Sequence, residues 1–81
     1  VKVPRDLRGP DLVRALSAFG YVVIRQTGSH IRLRSVYTGT EHQITIPNHN
    51  PIKVGTVNGI LGDIASYLKV GKQELIDRLF A

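Results

Sequence analysis

Cysteine, methionine and tryptophan are all absent from this chain of 81 residues, and aromatic side chains make up only 6% of it. Without cysteine there is neither a disulfide framework nor a thiolate metal site, which fits a reducing interior. With so few aromatics, the core has to be built mainly from aliphatic side chains. No apolar run approaches the ~20 residues a membrane-spanning helix needs. No signal-peptide pattern opens the chain either. The start, VKVPRDLRG, is charged and begins without methionine, which reads as a processed or trimmed terminus. The expectation is a soluble, cytoplasmic protein. Also missing are a Gly-rich phosphate loop, a Ser/His/Asp arrangement, a zinc-finger spacing, internal repeats, low-complexity tracts and any interdomain linker.

What is present is charge of one sign. Eleven Lys/Arg against six Asp/Glu give a formal charge of +5 and a pI near 10.1. On so short a chain this favours anionic partners: nucleic acid, anionic lipid or an acidic protein. The length allows one domain, residues 1–81, with a single modest core.

Periodicity predicts the elements. Gly9-Pro10-Asp11 starts a helix with proline early and an acid in the first turn, and Leu12, Leu16 and Phe19 recur at helical spacing up to Gly20. YVVIRQ, residues 21 to 26, is β-branched and aromatic and reads as a strand. Thr27-Gly28 is a tight connection, with Gly28 free to take positive φ. Ser29 to Ser35 and EHQITIP, residues 41 to 47, alternate as second and third strands around the turn VYTGT. Thr56 is the expected cap of a helix whose apolar stripe is Val57, Ile60, Leu61, Ile64 and Leu68. Gly59 and Gly62 inside it each cost about 1 kcal/mol relative to alanine, and are read as marks of close packing against the sheet. A last helix from about Lys72 to Phe80 buries Leu75, Ile76, Leu79 and Phe80, with Glu74 completing its capping. The fold class expected is α+β: α-β-β-β-α, one antiparallel sheet with helices on one face, plus a short C-terminal helix.

The stretch TGSHIRLR, residues 27 to 34, carries the chemistry. Strand side chains alternate, so Ile31 and Leu33 share one face while His30, Arg32 and Arg34 share the other. If helices cover the Ile/Leu face, the histidine lies on the open one beside two arginines. Imidazole exchanges protons near neutrality, and guanidinium grips phosphate oxygens without losing its charge. Together they suit phosphodiester cleavage in RNA, where the substrate's own 2′-OH is the nucleophile and no metal is required. The plain alternative is a solvated polar face, and spacing by itself favours it. His42 is in phase with Ile44 and Ile46 and reads as a satisfied structural histidine. His49, in PNHN, is a turn residue or a second proton-transfer group. No third ligand joins His42 and His49 at a metal-binding spacing.

RQTGSH at 25 to 30, IPNHN at 46 to 50 and GTVNGIL at 55 to 61 occur in the order that marks the HicA toxin family. The chain resembles that family from about Arg8 to Leu68, including the helix-Gly-aromatic-strand entry AFGYVVIRQ. The resemblance implies a double-stranded-RNA-binding-domain-like fold and metal-independent cleavage of mRNA. It implies no cofactor, and a HicB-like antitoxin as protein partner. It places the catalytic histidine at His30, directly after Gly28-Ser29, and those two residues are grouped with the RNA-binding set. Arg25, Arg32, Arg34 and Lys53 are assigned to the RNA backbone from charge and position. Two other readings stay open: a non-catalytic RNA-binding module of the same fold, and a protein-interaction domain with a basic surface.

Overall fold

A computed structural model describes residues 1–81. Helix α1 (Gly9–Leu16) runs into a 3-10 turn (Ser17–Phe19), followed by strands β1 (Val22–Thr27), β2 (His30–Ser35) and β3 (His42–Pro47), then helices α2 (Val54–Leu68) and α3 (Lys72–Phe80). The strands form one antiparallel sheet in the order β1-β2-β3. This is the expected α-β-β-β-α arrangement with its extra helix. No helix is long and apolar enough to cross a membrane.

Alternation decides which face the helices cover. Ile31 and Leu33 of β2 and Ile44 and Ile46 of β3 are all buried, and they share one core with Leu12 and Leu16 of α1, Val57, Leu61 and Ile64 of α2, and Leu75 and Ile76 of α3. Each such side chain contributes roughly 1.5–3 kcal/mol on leaving water, so the sheet is held to the helices mainly by aliphatic burial. The N-terminus of α1 is tied to the segment after β3. The Gly9 N–H donates to the His49 carbonyl at 3.2 Å, and a Cβ on Gly9 would sit 3.0 Å from the Asn48 backbone. Glycine is needed there because two backbones cross.

Three local expectations are corrected. α2 begins at Val54 behind Lys53, which lends no side-chain cap, so Thr56 lies within the first turn. The chain enters that helix from Ile52, which is buried and whose N–H donates to the Leu7 carbonyl at 2.8 Å, so tertiary anchoring sets the start. Gly59 and Gly62 do not mark close packing, since nothing lies within 4 Å of where their Cβ atoms would be. Glu74 does not cap α3; it pairs with Arg78 one turn on at 2.5 Å, behind the cap residue Gly71.

The far end of the sheet is closed by polar contacts. Ser35, the one fully buried polar side chain, donates from Oγ to the Phe19 carbonyl at 2.8 Å and accepts from the Tyr37 N–H at 3.1 Å. Gly20, at φ 76°, ends the 3-10 turn beside this contact and leads the chain into β1. Tyr21 hydrogen-bonds His42 Nδ1 at 2.7 Å. Burial, with Tyr67 and Asp63 nearby, pushes the Tyr21 phenol well above its usual range, so it stays protonated. His42 Nε2 faces Asp63 Oδ2 at 3.4 Å, and the ring stacks on Tyr67 at 4.5 Å. The expected structural histidine is what the fold contains.

Ser35→Ala should cost about 1–3 kcal/mol, because the buried Phe19 carbonyl loses its donor. Urea denaturation of both proteins measures this, and equal midpoints would show that the contact contributes nothing.

Candidate functional site

On the face away from the helices, the strand register stacks polar residues in rungs. Thr27, His30 and Pro47 face one another across the three strands; Arg25, Arg32 and Thr45 form the next rung, and Val22, Arg34 and Gln43 the one after. The register of β1 shifts between Val23 and Arg25, where Ile24 is the extra residue of a β-bulge. The bulge puts Arg25 directly opposite Arg32 while Val23 stays on the helix side opposite Leu33.

The first two rungs, with Ile24 of the bulge and Gln43 of the third rung, enclose a shallow basin of about 670 Å³ whose other lining residues are Arg25, Thr27, His30, Arg32 and Thr45. His30 is exposed. Its position follows from the hairpin: Gly28, at φ 56°, turns the chain so that β2 begins at the histidine. The Ser29 carbonyl accepts from the Asn48 N–H at 2.6 Å, fixing that end of the hairpin to the segment after β3. Gly28 and Ser29 therefore shape the approach to the basin without lining it.

Arg32 is preset. Its Nε donates to Gln43 Oε1 at 3.1 Å and its Nη1 to Thr45 Oγ1 at 2.8 Å, which leaves the Nη2 side of the guanidinium unengaged. Gln43 passes the chain of contacts on through Nε2 to Glu41 Oε2 at 3.3 Å, and Glu41 pairs with Arg34. The Arg34 hydrogen bond holds the Glu41 carboxyl below the usual carboxylate range, so it stays charged and offsets Arg34. Arg34 is thus on the expected face but one rung beyond the basin and already paired. Lys53 stands apart at the start of α2, and neither it nor His49 lines the basin. Beyond Arg32, Gln43 and Thr45 a second concavity of about 430 Å³ continues over β3 to the exposed Gly55, Thr56 and Gly59 of α2.

Reading the sequence found His30, Arg25 and Arg32 and missed Ile24, Thr27, Gln43 and Thr45. Gln43 and Thr45 alternate with Ile44 and Ile46, so parity was a usable signal for them. Ile24 depends on the bulge, for which VVIRQT carries no marker such as an internal glycine.

Comparison with known proteins gives one family. A model described as HicA toxin of bacterial toxin–antitoxin systems matches residues 9–65, a span that includes the sheet and most of α2. No characterised protein and no solved structure gives a significant match.

Two substitutions should move polyanion binding in opposite directions. Glu41→Gln removes the one carboxylate of the network and releases Arg34, so RNA affinity should rise several-fold at moderate salt and the salt dependence steepen by about one phosphate contact. Arg32→Ala should weaken binding and flatten the dependence by a similar amount. Filter binding across a salt series reads both. Unchanged slopes in the two variants would reduce this face to ordinary surface charge.

Proposed function

The chain belongs to the HicA toxin family of bacterial toxin–antitoxin systems, and from that premise we propose that it cleaves mRNA without a metal, with His30 as general acid/base. The observation that carries this reading is the pairing of two neighbouring rungs. Two arginines face each other directly across β1 and β2, an arrangement of like charges that destabilises a sheet. On the next rung stands an exposed imidazole with no hydrogen-bond partner inside the protein. A phosphate seated between Arg25 and Arg32 would relieve their repulsion and lie beside that imidazole.

In the proposed reaction, neutral His30 takes the proton from a ribose 2′-OH. The resulting oxygen attacks the adjacent phosphorus, forming a 2′,3′-cyclic phosphate as the bond to the 5′-oxygen breaks. Arg25 and Arg32 stabilise the charge on the non-bridging oxygens in the transition state. The leaving 5′-oxygen takes its proton from water, and protonated His30 returns its proton to the hydroxide so formed. Backbone contacts of this kind are indifferent to sequence. The basin also holds no phenylalanine, tyrosine or tryptophan on which a base could stack. Arg34 and Lys53 are assigned to flanking phosphates, and Gly28 and Ser29 to the turn that leaves room for the RNA strand. The partner antitoxin is proposed to be HicB-like, and the site of action cytoplasmic.

One observation favours the second reading, a non-catalytic RNA-binding module: the basin lining holds a single imidazole and no second histidine, lysine or tyrosine to share proton transfer. The two readings differ in one assay. Purified wild-type protein should cut RNA in the presence of EDTA, leaving cyclic phosphate ends. His30→Ala should remain folded and slow cleavage by ~10²–10⁴-fold, the usual contribution of a positioned proton-transfer group. RNA binding should change far less. A folded variant that cuts as fast as wild type removes His30 from the mechanism, and a wild type that binds without cutting leaves the module.

A further inference from the structure

β1 is paired with β2 on one side only. All six of its residues are exposed, with Val22, Val23 and Ile24 at 56%, 47% and 47%. An edge strand with three consecutive aliphatics and an unpaired row of N–H and C=O groups is a template for another strand, and proteins usually blunt such edges with charge, proline or a covering segment. In VVIRQT the only charge is Arg25 and there is no proline, so the bulge at Ile24 is the one other feature that interrupts the edge. On the helix side, Val23 borders a groove of about 400 Å³ whose walls include Pro10, Val13 and Arg14 of α1 and Ile31 of β2.

We propose that the free edge of β1, with the groove between β1 and α1, receives an extended segment of the antitoxin that is apolar with acidic flanks and adds to the sheet as a fourth strand. The inference rests on the family assignment for the existence of an antitoxin, and not on the ribonuclease mechanism. Unpaired backbone groups select an extended backbone, and the adjoining groove selects an apolar side chain beside Val23. Charge selects the acidic flanks. Arg14, exposed and 3.7 Å from the Asp11 carboxylate, lines the groove, and Arg25 directly follows the aliphatic strip, on a chain of net charge +5. A second copy would set these arginines against their own kind. The edge is also continuous with the proposed catalytic basin, because Ile24, Arg25 and Thr27 belong to both. A strand added here would lie along the rim of that basin.

The test uses the full chain and its cognate antitoxin, purified separately. Hydrogen exchange of the amides from Val22 to Thr27 should slow on complex formation. Val23→Lys should weaken the complex by at least ~10-fold in calorimetry, and Val23→Thr much less, with thermal unfolding of both variants near wild type. Should Val23→Lys bind as tightly as wild type while the β1 amides exchange as in the free chain, the edge is not the docking surface. That result would leave the His30 assay untouched. A wild-type chain that is dimeric on its own, and monomeric as Val23→Lys, would assign the edge to a second copy and overturn the proposal.

Discussion

The two-residue period of β2 is the constraint on which the rest depends. Ile31, Leu33 and Ser35 face the helices because His30, Arg32 and Arg34 face away, and neither set can move without the other. A slip of one residue would turn two arginines and an imidazole into the core and expose the aliphatics, a loss no local contact could offset. The core therefore fixes the site. Burial of Ile31 and Leu33 holds His30 and Arg32 on adjacent rungs, and the register with β1 and β3 supplies their neighbours. The bulge at Ile24 completes the arrangement by absorbing one extra residue in β1 without disturbing β2.

The two histidines of the sheet show how placement decides chemistry. His42 lies at the closed end of the sheet, with Nδ1 taken by Tyr21, its ring face by Tyr67 and Nε2 turned to Asp63. It joins β3 to α2 and has no nitrogen left for a substrate. Tyr67 extends that joint by accepting from the Thr38 N–H at 3.2 Å and donating to the Thr40 carbonyl, which pins the loop between β2 and β3. His30 lies at the opposite end of β2, where the hairpin turn leaves it exposed. One end of the sheet is tied down by its polar groups, and the other presents them.

Much of this was legible in the sequence because strand alternation is a strong signal when one face is aliphatic. HIRLRS and HQITIP announce their faces without help, and the placement of His42 followed from its phase with Ile44 and Ile46. Other features had no local code. A capping threonine points to Thr56 as the start of α2, but the buried Ile52 and its bond to Leu7 set the first helical residue at Val54, behind Lys53. The glycines of α2 were given a packing role, yet open space surrounds them. The pairing of Arg34 with Glu41 joins opposite ends of the β2–β3 loop. Charge and position place Arg34 on the open face, but they do not show that Glu41 pairs with it.

The rung spacing separates the arginines by task. Residues two apart on a strand are ~7 Å from one another, and paired strands lie ~4.8 Å apart. His30 is one such step from Arg32, and Arg25 is directly across from Arg32, so all three side chains can converge on a single phosphate in the basin. Arg34 is two steps, ~14 Å, from His30. On the proposed mechanism it is too far away to share the phosphate beside His30, and its pairing with Glu41 would make it a weaker anchor for a neighbouring one. On the proposed mechanism, loss of Arg25 or Arg32 removes transition-state stabilisation as well as affinity. Loss of Arg34 removes affinity alone, because uniform binding that does not grow in the transition state leaves the chemical step unchanged.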